Sequence, residues 1–251
     1  MAEWNDGGAA PLALIEDLDA SDPEAQLDRA ALLLDEVKRG LRGPTLRLYR
    51  PRPTMAFGQR DTRLPGFEEA RSAALARGFA PVVRKAGGRA AAYHEGTLIV
   101  DHIEPAAEAM VGHKGRFEVF GGLYAGALRT LGLDARVGEI PGEYCPGEYS
   151  VHGVPGARST AAAPVKLVGT AQRVVAGAWL FSSVFVVSDA KPVRAVLTDV
   201  YRALGLPFEP STAGAADELV PGLTVDDVEA ALLAMYRDRG ALASPRRVPT
   251  A

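Results

Sequence analysis

The sequence predicts an α+β fold in which helices pack on a mostly antiparallel β-sheet. Three observations predict it. Short runs such as 97–103 (TLIVDHI) and 178–188 (AWLFSSVFVVS) have the β-branched and aromatic content of strands. Longer stretches at 116–133 and 192–204 carry apolar residues at helical spacing. The two kinds interleave without the strict strand–helix–strand rhythm that builds a parallel sheet. No internal repeat and no linker divides the chain, so one domain is expected over 13–240, with disordered tails at 1–12 and 241–251.

The elements follow in order. Asp22-Pro23 is a cap residue followed by proline at the first helical position, and it opens a helix with Leu27, Ala30, Ala31, Leu34 and Val37 on one face and Gly40 as its stop. Residues 45–50 (TLRLYR) and 54–59 (TMAFGQ), joined by a proline-rich turn, read as a strand pair. A short helix over 66–78 closes at Gly78. Residues 80–88 read as a strand running into a Gly-Gly turn, with strands to follow at 90–94 and 97–103. A loop is expected over 105–116, then the helix 116–133 and a strand over 135–140. Residues 153–165, small and proline-flanked, read as a mobile loop. Residues 166–177 and 178–188 form a hairpin of core strands, and a helix follows from Pro192 to Leu204. Thr224 and Asp227 make a capping-box start to a last helix through Arg239.

Composition narrows the function. Of 251 residues, 47% are hydrophobic and 24% charged, which suits a globular core. The net charge of −3 advertises no basic surface for nucleic acid. No stretch approaches the ~20 apolar residues of a membrane span. The N-terminus MAEWNDGG lacks the basic and apolar regions of a signal peptide, and one cysteine suits a reducing compartment, so a cytoplasmic protein is expected.

Four features could carry chemistry. Cys145, the only cysteine, sits in the turn-like EYCPGEYS (143–150) and cannot form an internal disulfide. It reads either as a small buried hydrophobe or as a nucleophile. Arg84 to Arg89 joins a strand end to Gly87-Gly88 with positive charge on both sides. That is a plain hairpin turn, or a loop whose amides approach a phosphate or carboxylate. His94 reads as an acid/base group or as a hydrogen-bonded turn histidine. Lys166, within an apolar strand run, is expensive to bury unless used; it either snorkels from an edge or donates to a carbonyl or carboxyl oxygen. The histidines lack metal-ligand spacing with one another or with Cys145, so no metal site is expected.

Together these segments resemble the biotin/lipoate A/B protein ligase catalytic family. The blocks FGQRDTRLPGFEEA (57–70), VVRKAGGRAAAYHEG (82–96) and KLVGTAQR (166–173) match in order, over about residues 25–205. Within the family, EYCPGEYS and DTRLPGFE most resemble the cysteine-dependent octanoyl amidotransferases. The resemblance implies a biotin/lipoyl protein ligase-like fold and transfer of an octanoyl or lipoyl group to a lysine of a lipoyl carrier domain. That carrier would be of the glycine cleavage H protein or 2-oxoacid dehydrogenase E2 type. Cys145 matches the acyl-accepting nucleophile and Lys166 the lysine that contacts the acyl carbonyl. Arg84, Gly87 and Gly88 match the loop lining the acyl slot, and His94 its end. Val168 joins the slot wall, Gly169 and Ala171 match small residues that let the acyl chain pass, and Gln172 continues that strand. No cofactor is required on this reading. Two alternatives stay open: an ATP- and Mg-dependent lipoate ligase working through lipoyl-adenylate, and a non-catalytic acyl- or carrier-binding protein. Ala86 departs from the family's Ser or Thr before Gly-Gly, and Ser182-Ser183 stand where many relatives carry a histidine.

Overall fold

The structure, a computed structural model, describes residues 10–17 and 22–242. Its strands are β1 (Ala13–Asp17), β2 (Thr45–Tyr49), β3 (Thr54–Phe57), β4 (Ala80–Val83), β5 (Ala91–Tyr93), β6 (Thr97–Ala106), β7 (Asp134–Val137), β8 (Val151–Val154), β9 (Val165–Val175) and β10 (Gly177–Val186). The helices are α1 (Pro23–Lys38), α2 (Phe67–Ala76), α3 (His113–Thr130), α4 (Ala190–Ala203), α5 (Ala216–Leu219) and α6 (Val225–Asp238). A seven-stranded sheet runs β1-β2-β6-β10-β9-β8-β7, and a three-stranded sheet runs β4-β3-β5. All pairs are antiparallel except β1–β2 and β3–β4. The α+β expectation therefore holds.

The two-residue period of the strands sorts the core. Leu46 and Leu48 of β2, Leu98 and Val100 of β6, and Phe181 and Phe185 of β10 pack under α3 and α6, against Phe120, Tyr124, Leu232 and Tyr236. Their neighbours Tyr49, Ile99 and Val184 face the other way, toward the small sheet and Val193, Val196, Val200 and Tyr201 of α4. Helix α1 covers the rest of that face through Leu33, Leu34 and Val37, which meet Ile103 and Leu180.

One charged group stands inside this second face. Arg47 of β2 is fully buried, and β-alternation rather than function puts it there. Its guanidinium donates to Asp17 Oδ2 (2.8 Å) on β1, to Asp101 Oδ2 (3.1 Å) on β6 and to the Gln26 carbonyl (3.0 Å) on α1, and it lies 4.0 Å from the Tyr49 ring centroid. Ser182 of β10 donates to the other Asp101 oxygen at 2.7 Å. Five elements are thus locked by one cation whose charge is compensated.

Several expectations are corrected. β2 and β3 do not pair; they belong to different sheets, because Pro51 and Pro53, which lack N–H donors, turn the chain between them. The expected loop over 105–116 is shortened at both ends, β6 reaching Ala106 and α3 starting at His113. The expected mobile loop 153–165 begins inside β8, and its remainder is pinned to the end of α5, where Thr160 N–H (2.7 Å) and Ser159 Oγ (3.0 Å) donate to the Glu218 carbonyl. The folded region also exceeds 13–240: Leu12 bridges to Leu242, and both Leu12 and Ala241 are buried. Residues 1–9 and 243–251 of the expected tails lie outside the described residues. The β9–β10 hairpin, the Asp22 cap on α1 and the Thr224–Asp227 capping box of α6 stand as expected.

Arg47→Met should strand the buried Asp101 carboxylate and cost about 3–5 kcal/mol in denaturant unfolding. Adding Asp101→Asn should recover a large part of that loss, since a neutral pair carries no uncompensated charge.

Candidate functional site

The site forms where the 84–90 loop, the 140–150 loop and β9 meet. A β-bulge aims its lysine. His152 of β8 pairs with Lys166 while the adjacent Val151 pairs with Val168, so Leu167 is the extra residue on β9. Bulges re-aim side chains. Lys166 consequently turns to the face occupied by Tyr144, while Val168, two residues on, points into the opposite core around Phe181 and Phe185. Val168, expected in the slot wall, is a core residue of the other face. Gly169 stays beside the lysine: a Cβ there would be 3.6 Å from Lys166 Cε and 3.4 Å from Val184 Cγ1.

The Lys166 ammonium is 1% exposed and all three of its N–H donors are spent. They go to Glu143 Oε1 (2.9 Å), the Tyr144 carbonyl (3.0 Å) and the Cys145 carbonyl (2.8 Å). Glu143 is itself a hub. It accepts from Ser150 Oγ (2.5 Å) and from the N–H groups of Gly147 and Ile140 (3.2 Å each). The 140–150 loop is thereby wrapped around one buried ion pair.

That wrapping leaves Cys145 in the left-handed backbone region at φ 44°, a strained place for a side-chain-bearing residue. Its N–H donates to the Tyr201 hydroxyl (2.7 Å), which in turn donates to the Ala90 carbonyl (2.9 Å). Burial pushes the Tyr201 hydroxyl well above its ordinary pKa, with the neighbouring Cys145 adding to the effect, so it stays protonated as this chain requires. The half-buried sulfur accepts the Arg89 N–H at 3.1 Å.

Glycine makes this approach possible. A Cβ on Gly88 would stand 2.6 Å from Arg84 Nη2 and 2.9 Å from Cys145 Sγ, while one on Gly58 would strike the Gly88 carbonyl at 2.0 Å. Gly88 also has φ +94°. Gly87 lies on the β9 side, nearest to the Gln172 carbonyl. Arg84 is 8% exposed; it donates to Tyr93 Oη (2.9 Å) and the Arg89 carbonyl (2.8 Å), and its buried Nε–H has no partner among the described residues. Burial opposes the Arg84 charge, but Tyr93 and Cys145 around it outweigh burial and raise its pKa above the ordinary value. Arg84 also lines a cavity of about 30 Å³ beneath α1, with Leu27, Ala30, Leu180, Ser182 and Asp101 on its walls. That is room for a couple of waters.

Of the residues singled out from sequence, Cys145, Lys166, Arg84 and Gly88 come together, with Gly87 and Gly169 at the margin. Ala171 is buried in β9 opposite Ser182. Gln172 faces α3, where it accepts from Arg116 and donates to the His113 carbonyl. The His94 ring is occupied in the turn between β5 and β6: Nδ1 accepts from Gly96 N–H (2.9 Å) and Nε2 meets the Asp189 carbonyl (2.8 Å) ahead of α4. Sequence reasoning missed Glu143 and Tyr201. A glutamate two residues before the lone cysteine was the available signal for the first; Tyr201 lies in a helix with nothing local to mark it.

A half-buried thiol thus stands beside a buried guanidinium and a glycine wall with no room for a Cβ. The model of the lipoyl protein ligase A/B catalytic domain matches residues 22–237, and the chain belongs to that family. It is 30% identical over 168 residues to an octanoyl-[GcvH]:protein N-octanoyltransferase of Geobacillus kaustophilus, covering 67% of this chain and 56% of that protein. A protein of the same name from Exiguobacterium sibiricum is 25% identical over 217 residues, covering 81% and 75%. The chain thus spans little more than half the length of the first of these relatives. Among solved structures, lipoate-protein ligase A bound with ATP superposes with a TM-score of 0.69 at 19% identity, covering 94% of this chain and 88% of that one. The bi-partite lipoate protein ligase of Thermoplasma acidophilum gives 0.66 at 18%, covering 94% and 86%. At such identities these likenesses speak to the fold.

Tyr201→Phe should leave the Cys145 N–H and Ala90 carbonyl unpaired, costing about 1–3 kcal/mol in denaturant unfolding. It should also raise the alkylation of Cys145 seen by peptide mass mapping under native conditions, because the loop holding the sulfur is released.

Proposed function

We propose that this protein transfers an octanoyl group from one lipoyl carrier to a lysine of another through a thioester on Cys145, acting in the cytoplasm. The observation that carries the reading is the meeting of Cys145 with Arg84, Gly88 and Lys166 in a member of this family. The names of the octanoyl-[GcvH] relatives support the donor, a glycine cleavage H-type carrier. A 2-oxoacid dehydrogenase E2-type domain fits the acceptor.

The chemistry runs in two balanced steps. The Cys145 thiolate adds to the carbonyl of an octanoyl-lysine amide; the C–N bond breaks, the departing amine takes up a proton, and a thioester forms. The neutral amine of the second carrier's lysine then adds to the thioester carbonyl. The C–S bond breaks, an amide forms, a proton is lost, and the thiolate is restored. Amide exchanges for amide, so the whole is nearly isoenergetic and the climb lies in the first step. No ATP is needed on this reading. The Arg84 Nε–H, unpartnered among the described residues, is a donor of the kind that suits a developing oxyanion. The octanoyl tail would run past Gly88 and Gly169 toward the cavity walled by Leu27, Ala30 and Leu180, which must widen to admit it.

Incubation with an octanoylated H-type carrier, quenched in acid, should give an intact-mass increase of one octanoyl group on the parent protein and none on Cys145→Ser. Transfer to an acceptor lipoyl domain should fall at least about a thousandfold in that variant, since loss of a covalent nucleophile removes the route itself. Transfer that survives Cys145→Ser and requires ATP and free acid would replace this reading with the lipoate ligase. Acyl binding without turnover would make the protein a non-catalytic acyl- or carrier-binding protein.

A further inference from the structure

The two buried cations at the site are not equivalent. Lys166 is matched by Glu143 at 2.9 Å, a buried pair with both charges present. Arg84 is buried as well, at 8% exposed, yet no carboxylate among the described residues is paired with it: its two bonds go to the neutral Tyr93 hydroxyl and a carbonyl. Burial pushes the Tyr93 hydroxyl upward, so it supplies no negative charge. An arginine cannot shed its proton to escape this situation. A buried cation without a counter-ion is costly. A further acidic group beside it is Cys145, whose sulfur lies across Gly88 from Arg84 Nη2. A Cβ built on that glycine would stand 2.6 Å from Nη2 and 2.9 Å from Sγ, so the two atoms lie within about 5.5 Å of each other, a range over which an opposite charge favours the anion without a hydrogen bond between them. The same sulfur already accepts the Arg89 N–H, a bond that is stronger to an anion than to a thiol.

We propose that Cys145 rests as a thiolate whose counter-ion is Arg84, across Gly88, and that Lys166, neutralised by Glu143, is a positioning residue that shapes the cysteine turn rather than the source of the sulfur's charge. The proposal deepens the reading of Cys145 as the acyl acceptor. It assigns the activating charge to the arginine of the Gly-Gly loop. The other titratable groups around the sulfur fit it. Tyr144 and Tyr201 are held protonated by burial. The Arg89 side chain is turned to Asp61, at 3.2 Å, which compensates it.

The test reads the sulfur, not turnover. The ultraviolet thiolate absorbance of the parent, with that of Cys145→Ser subtracted, is followed between about pH 5 and pH 9 together with the rate of iodoacetamide alkylation, around the ordinary thiol range. Arg84→Gln should lose the thiolate signal at pH 7 and slow alkylation at least about tenfold. Arg84→Lys, which keeps the charge, should restore much of both. An Arg84→Gln profile that superimposes on the parent's overturns the proposal. If Arg84→Gln does not fold, a neutral thiol in the parent at pH 7 overturns it equally. An octanoyl adduct that forms normally while no thiolate is seen would sink this inference and leave the thioester route standing. A thiolate without any adduct would do the reverse.

Discussion

The burial of the Lys166 ammonium is the constraint on which the site depends. A strand bulge turns this side chain into a face with no water to hydrate it. It must then find three acceptors, and only the 140–150 loop supplies them. One is the Glu143 carboxylate, and the other two are consecutive carbonyls, of Tyr144 and Cys145. Two adjacent carbonyls can reach one ammonium only if the chain curls tightly there, and the positive φ of Cys145 is the record of that curl. The strain at the cysteine is therefore held by a charge, not by the cysteine's own preference.

From that turn the rest follows by close packing. The sulfur is pressed against Gly88, and Gly88 against Gly58, with no space for a Cβ in either contact. Tyr201 ties the cysteine turn to Ala90 on the far side of the glycine loop, so α4 fixes the spacing of both loops at once. The ties on the outer side of the glycine loop are of another kind. Lys85 meets Asp28 on α1 with both side chains about half exposed, and Arg173 reaches the Lys85 carbonyl from an exposed position. Exposed pairs of this sort contribute ~1 kcal/mol or less. The cavity beneath α1 is too small for an eight-carbon chain, and its looser wall is the one these outer ties hold.

Much of this was legible in the sequence because it is local. The capping box of α6 needs only Thr224 and Asp227, and the β9–β10 hairpin needs only two adjoining apolar runs. The ordered blocks around Arg84, Cys145 and Lys166 pointed to residues that do converge. What was not legible is non-local. Nothing in TLRLYR and TMAFGQ says that they enter different sheets, since pairing is decided by distant partners. The bulge that separates Lys166 from Val168 has no residue signature: alternation alone puts both on one face, and the extra Leu167 puts them on two. Glu143 reads as a surface charge until its partner is known, and Tyr201 reads as one more apolar position on α4.

The contrast between the two cations also explains why one is lysine and the other arginine. A lysine buried without a counter-ion can give up its proton and become a neutral amine. Position 166 avoids that by carrying Glu143, and the compact ammonium then serves three acceptors converging on one point. Position 84 has no such partner among the described residues, and its donors must diverge toward Tyr93 on one side and the Arg89 carbonyl on the other. A planar guanidinium spans those two directions and stays charged whatever its surroundings. Holding a permanent charge there, with one N–H left unpaired, is unfavourable for folding alone. On the proposed thioester route it becomes favourable, because negative charge would stand beside it, first on the sulfur and then on the carbonyl oxygen under attack. The cost that the fold carries in the Arg84 pocket is the same electrostatic feature that the proposed reaction would draw upon.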